Sequence, residues 1–152
     1  MDVLRMLIGL LLIFCGIAVS MQFILGPIYS DIGQAELAVW YYLDMLMALS
    51  IAITVSVQLQ RKRAADRIRA DTLNRERLEA NVMFFLSLVV AIWFFRNWFD
   101  FLSSSPIGDQ STATMVIWYI LDPILAILVG LTGIRMWRNS APVTGNASTG
   151  RV

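Results

Sequence analysis

Residues Leu37–Leu59 read LAVWYYLDMLMALSIAITVSVQL, and residues 60–63, which follow directly, read QRKR. At a rise of about 1.5 Å per residue, a helix of this apolar length crosses a hydrocarbon core of about 30 Å. Inside lipid each backbone N–H and C=O needs a partner within the segment, which favours a helix over other structures. The stretch therefore predicts a transmembrane helix that leaves the membrane at a basic cluster.

Three further apolar runs of similar length occur, at Val3–Leu25, Ala80–Leu102 and Ala113–Trp137. The 152-residue chain is 58% hydrophobic with a mean hydropathy of +0.68, values typical of membrane proteins rather than soluble ones. The first run is longer than the apolar region of a secretion signal and lacks an Ala-x-Ala cleavage site, so it is expected to stay in the protein. We predict an all-α, integral membrane four-helix bundle over residues 1–138.

The basic residues predict the orientation of the bundle. Of the 12 Lys and Arg residues, all except Arg96 lie at the start of the first run, between the second and third, or at and beyond the end of the fourth. By the positive-inside rule, both termini and the connection at residues 60–79 are cytoplasmic. The expected location is the cell (inner) membrane, with a multi-pass topology. The small, polar residues 139–152 are expected to be a disordered tail.

The connection at residues 60–79 carries charges of both signs and is expected to be a helical hairpin that extends the second and third helices. Its basic residues suit contact with anionic lipid headgroups, at about 1 kcal/mol each, although a topology signal on a solvated hairpin explains the same residues. The balanced charge and the lack of interleaved aromatic residues make nucleic-acid binding a poor fit. The predicted headgroup contacts are Arg61, Lys62, Arg63, Arg67 and Arg69.

An internal repeat is the most informative pattern. Val39–Ala48 reads VWYYLDMLMA and Ile117–Ala126 reads IWYILDPILA, so Trp, Tyr, Leu, Asp and Ala recur 78 positions apart. We interpret the chain as two tandem transmembrane hairpins forming a parallel repeat, for which a pseudo-two-fold axis along the membrane normal is the natural arrangement. The alternative is independent selection of a Trp-Tyr pair at the membrane interface.

The same two segments carry small residues four positions apart, and small residues at this spacing let helix backbones approach closely. We therefore expect the second and fourth helices to meet along these stripes, or to dock on the third and first helices. The predicted packing residues are Ala48, Ala52, Ala126 and Gly130.

Six polar residues are expected at a similar depth, in the outer half of the hydrocarbon or at its edge, namely Gln22, Asp44, Arg96, Asn97, Asp100 and Asp122. An ion that faces lipid near mid-bilayer costs at least about 2.5–3.5 kcal/mol, so these side chains are expected to face the bundle and pair. Arg96 is the one cation among them and is expected to contact Asp44 or Asp122. The cluster is interpreted either as a structural clasp that fixes helix register, or as a relay for protons or ions or a site for a small polar substrate.

The chain has no His and a single Cys, Cys15, which removes the commonest general base and metal ligand. No catalytic residue, metal site or cofactor is expected, and the isolated chain is not predicted to be an enzyme. The predicted function is a small non-catalytic accessory or structural subunit of a larger membrane complex. The alternative is a small oligomeric transporter or channel that uses the intramembrane Asp and Arg residues. Expected partners are the lipid bilayer and other membrane subunits or further copies of the chain.

Overall fold

The computed structural model describes residues 2–29, 34–67, 75–103 and 112–140. These residues form four helices, α1 (Asp2–Tyr29), α2 (Gln34–Asp66), α3 (Arg75–Ser103) and α4 (Thr112–Ser140). Each is long and apolar enough to cross a membrane, which confirms the predicted all-helical fold and indicates a multi-pass membrane protein. Every helix extends beyond its apolar run, because polar residues at the ends continue the helical backbone without a break.

The basic end of the bundle is the end at which α2 and α4 finish and α1 and α3 begin. Ion pairs connect the helices at this end. The Arg77 guanidinium of α3 lies 3.5 Å from Asp66 of α2, and Arg135 of α4 pairs with Glu79 of α3. Lys62 pairs with Asp66 within α2 at 2.7 Å. These side chains are partly exposed, so each pair contributes about 0–1 kcal/mol.

The predicted connection between α2 and α3 is helical as far as Asp66 and again from Arg75. The remainder of this connection, including Arg69, lies outside the described residues. Among the other predicted headgroup residues, Arg63 and Arg67 are exposed. The predicted tail beyond Ser140 also lies outside the described residues.

The helices are arranged in two closely packed pairs. The most extensive packing joins α1 to α4, and the next joins α2 to α3, whereas the two helices within each predicted hairpin, α1 with α2 and α3 with α4, share much smaller contacts. Each helix thus packs mainly on a helix of the other predicted hairpin. The α1–α4 pair and the α2–α3 pair meet across the middle of the bundle, where α2 also contacts α4.

Glycines bring α1 and α4 into backbone contact. A Cβ atom added at Gly16 would lie 2.8 Å from the carbonyl oxygen of Ala126, and one added at Gly133 would lie 2.7 Å from the carbonyl oxygen of Gly9. Either atom would overlap the backbone of the facing helix. These contacts also show that α1 and α4 run antiparallel, because the residue numbers rise along one helix as they fall along the other.

A continuous apolar core fills the space between the two pairs. Phe94 of α3 is fully buried and stacks on Trp98, while its edge meets Trp118 of α4 at a ring-centroid distance of 5.9 Å. Large apolar side chains such as Phe14, Val89 and Ile127 point outwards. This outward face suits a lipid environment, since a helix that is apolar all round needs lipid or protein to cover it.

Candidate functional site

Two carboxyl groups lie inside the bundle, at Asp44 on α2 and Asp122 on α4. They are 7% and 6% exposed, respectively, and are close enough to interact electrostatically. Asp122 Oδ1 is enclosed and has no hydrogen-bond partner among the described residues. Because α2 and α4 belong to different helix pairs, the carboxyl pair lies where the two pairs meet.

Helical periodicity explains why the two acids point inwards. Along α2 the buried positions recur every three or four residues, which places them on one face of the helix. Asp44 lies at one end of this face. Along α4, buried positions recur at a similar spacing from Asp122 onwards. The buried positions of α2 are Asp44, Met47, Ser50, Ile51, Thr54 and Gln58.

From the acids towards the basic end, α2 and α4 have buried residues at corresponding positions, and we group these residues into layers of two that lie 78 positions apart. The first layer is Met47 with Leu125, and the second is Ile51 with Val129; all four side chains are fully buried. We name these four residues the apolar plug. The third layer is Thr54 with Thr132, which are likewise buried.

A hydrogen-bonded cluster follows towards the basic end. Gln58 Nε2 donates to Thr132 Oγ1 at 3.0 Å, and the Thr132 hydroxyl donates to the Leu128 carbonyl at 2.8 Å. Arg61 donates to Gln58 Oε1 at 3.3 Å, which extends the cluster towards solvent. The Thr54 hydroxyl is buried and lacks a hydrogen-bond partner among the described residues. We name Thr54, Gln58 and Thr132 the Gln58 cluster.

Arg96 is placed differently from expectation. It is exposed on α3, and the described helices contain no ion pair between it and Asp44 or Asp122, so the predicted contact is wrong. The reason is helical phase: Phe94 and Asn97 face the core, which turns Arg96 outwards by about 100° from its neighbour. Arg96 instead lines a groove of about 550 Å³ beside Asp100, between the ends of α3 and α4.

The remaining polar residues are divided between the interior and this groove. Gln22 and Asn97 are buried, and Asn97 donates to the Trp93 carbonyl at 2.8 Å. The α1–α4 register, which sets Gly16 beside Ala126, brings Gln22 to the level of Asp122. Asp100 is exposed. Four of the six predicted residues thus face the interior, and Arg96 and Asp100 do not.

The small-residue stripe of α4 docks on α1, which is one of the two predicted arrangements. Ala126 and the Gly130 Cα both lie against Gly16. On α2, Ala48 is half-buried and Ala52 is exposed, so Ala52 takes no part in packing within the chain. Sequence reasoning missed the partners on α1, Gly9 and Gly16, although their spacing of seven residues places both on one helix face.

No protein-family model, curated protein or solved structure matches the chain. Its function is therefore inferred from the geometry of the bundle.

Proposed function

We propose that the protein is a small membrane transporter that moves protons or a small monovalent cation by way of Asp44 and Asp122. The observation that carries the proposal is the burial of both carboxyl groups together, without an ion-paired cation among the described residues. Two enclosed carboxylates repel unless a proton or a cation lies between them. Ionisable residues inside membrane spans characteristically mark ion and proton pathways.

The position of the carboxyl pair also supports transport. Asp44 belongs to the α2–α3 pair and Asp122 to the α1–α4 pair, so a small displacement between the pairs changes the distance between the carboxyl groups. Transporters built from parallel repeats bind their substrates where the repeats meet. In this proposal the two hairpins are such repeats, both termini are cytoplasmic, and the protein resides in the cell (inner) membrane.

The chemistry of the site favours a single positive charge over a multivalent metal ion. Within the described helices, no group of three or more His, Cys, Asp or Glu side chains is placed to hold a metal ion. Two carboxyl groups are enough to share one proton. The buried Gln22 amide, at the same level on α1, is a further oxygen donor for a small monovalent cation.

Flux measurements on purified protein in liposomes test the proposal. An imposed pH gradient reports on protons, and an imposed Na⁺ gradient at constant pH reports on a cation. We expect wild-type protein to dissipate one of the gradients, and Asp44→Asn and Asp122→Asn to reduce the rate to that of protein-free vesicles. Asp100→Asn is the matched control, because it removes an exposed carboxylate from a span and should retain wild-type flux.

Two results would contradict the proposal. One is wild-type flux no faster than that of empty vesicles in both gradients. The other is unchanged flux in both Asn variants, once their melting temperatures and elution profiles show that they are folded. Whichever gradient is dissipated identifies the transported species.

A second candidate function is that of an accessory subunit of a larger membrane complex, and Arg96 is the observation that favours it. The residue is exposed on α3 close to Trp93 and Phe99, whose rings are also exposed. A lipid-facing guanidinium is costly in hydrocarbon, and a partner subunit that carries a carboxylate would remove that cost.

Purification in mild detergent tests the accessory function. A complex that docks through this face should contain a stoichiometric second polypeptide in the wild type and lose it in Arg96→Gln. The matched control is Arg5→Gln, which removes an exposed cation from α1 and should retain the complex. A wild-type mass made up only of copies of this chain would exclude the accessory function.

A further inference from the structure

We infer that the apolar plug is a gate that keeps protons from passing between the carboxyl pair and the Gln58 cluster. The gate consists of Met47 and Ile51 on α2 and Leu125 and Val129 on α4, and it rests on the proposed transport function for its physiological role. It divides the interior of the bundle into two polar stations, separated by a segment in which the four plug side chains are apolar and the buried Ser50 hydroxyl is a single polar group.

The distance between the two polar stations is too long for a proton to cross without bridging water. Asp44 and Thr54 are ten residues apart on one helix, which corresponds to about 15 Å along the axis. A direct hydrogen bond spans only about 3 Å, so a proton needs bridging water molecules to cross. The four plug side chains are fully buried and carry no strong hydrogen-bonding group, and apolar constrictions of this kind gate membrane pores by excluding water.

The polar station beyond the plug is suited to hold the water molecules that would carry a proton. The Thr54 hydroxyl is enclosed without a hydrogen-bond partner among the described residues, so it is free to bond to an entering water molecule. Gln58 and Arg61 continue the hydrogen-bonded line to the basic end. A proton crosses by exchanging one O–H bond for another between water molecules and the Thr54 hydroxyl only; Gln58 and Arg61 hold water through hydrogen bonds and do not carry the proton.

The surroundings of the carboxyl pair leave the plug as the barrier on this route. From α1 the buried groups are the Gln22 amide and, nearer mid-span, the Cys15 thiol beside Ser50. From α3 the Asn97 amide is buried, whereas the charged groups Arg96 and Asp100 are exposed on the outside of the bundle. Among the described residues, Asp44 and Asp122 are the only carboxyl groups buried within the bundle.

The plug also lies where movement between the helix pairs would open it. Met47 and Ile51 belong to the α2–α3 pair, and Leu125 and Val129 belong to the α1–α4 pair. Packing is extensive within each pair and much smaller between the pairs. A separation that draws the two sides of the plug apart admits water between the stations while the glycine contacts of α1 with α4 remain intact.

Polar substitutions within the plug test the inference. Ile51→Thr and Val129→Thr, singly and combined, add a hydroxyl to the plug; Val129→Thr nearly conserves the side-chain volume, whereas Ile51→Thr also shortens the side chain by one carbon atom. Matched controls are Leu49→Thr and Ile127→Thr, which lie on the same two helices, are also 78 positions apart, and are 53% and 62% exposed. The measurement is passive proton entry into liposomes that enclose a pH-sensitive dye, with the membrane potential clamped by K⁺ and valinomycin.

We expect proton entry to be faster in the plug variants than in wild-type protein, and unchanged in the two controls. If Ile51→Thr does not fold, Val129→Thr carries the test, because Val and Thr are nearly equal in shape. Wild-type entry rates in folded plug variants would overturn the inference, and so would an equal acceleration in the controls.

Failure of the gate and failure of the proposed function give different results. Faster entry in the plug variants supports the gate even where wild-type protein itself moves no protons. Conversely, the Asn variants at Asp44 and Asp122 could abolish flux while the Thr variants at Ile51 and Val129 leave proton entry unchanged. That result supports transport and overturns the gate.

Discussion

Gly16 is a residue at which side-chain size directly limits how closely two helices approach. Its missing Cβ leaves room for the Ala126 carbonyl oxygen, which would otherwise lie 2.8 Å away, and for the Cα of Gly130. Gly130 itself has open space where a Cβ would lie. A methyl group therefore fits at Gly130 but not at Gly16, although both glycines lie in the same interface.

This difference yields a prediction for the stability of the bundle in detergent. Gly16→Ala should lower the free energy of unfolding by about 1–3 kcal/mol, the usual cost of overpacking a tight interface. Gly130→Ala is the matched control and should be neutral or slightly stabilising, because Ala has the higher helix propensity. Thermal or denaturant unfolding of the two variants measures both effects, and equal destabilisation would contradict the glycine-mediated contact.

The direction of a side chain was predicted correctly where the cost of exposing a polar group to lipid determines it. Asp44, Asp122, Gln22 and Asn97 were predicted to face the bundle, and they do. Arg96 was predicted to join them and does not. Each residue turns a helix by about 100°, and with Phe94 and Asn97 on the buried face of α3, Arg96 lies outside it; the sequence does not say which of the two neighbours faces the core.

At the scale of the helices, the length and apolar composition of each run predicted its existence, whereas its ends depended on polar residues. The charged segment after Leu59 continues α2 as far as Asp66, because Arg, Lys, Ala and Gln all favour helix. An apolar run therefore marks the part of a helix that lies within lipid, and the helix itself extends further.

Helix pairing was harder to predict than helix position. These helices are apolar on most of their surface, so hydrophobic periodicity gives little information about which face meets which neighbour. The decisive features are local: the glycines at Gly9, Gly16 and Gly133 for the α1–α4 pair. They indicate a close approach, yet they do not identify the partner helix before the bundle is assembled.

At the scale of the whole molecule, burial follows the proposed repeat. Positions 78 apart are buried together along α2 and α4, from Asp44 with Asp122 to Thr54 with Thr132. The strongest departure is the layer after these threonines, where Gln58 on α2 corresponds to Met136 on α4. The two halves thus provide equivalent carboxyl groups at one level, whereas at the level of Gln58 only α2 provides a polar side chain.

The central claim is that Asp44 and Asp122 are enclosed together inside the membrane-spanning bundle and available to bind a proton. A hydrophobic carbodiimide tests it directly, because this reagent enters lipid and couples to carboxylic acids in apolar surroundings, and mass spectrometry locates the product. We predict a single adduct per chain, on Asp44 or Asp122, that is lost in the Asp44→Asn/Asp122→Asn double variant. Absence of an adduct at both residues, or an adduct confined to exposed carboxylates such as Asp66 and Asp100, would contradict the claim.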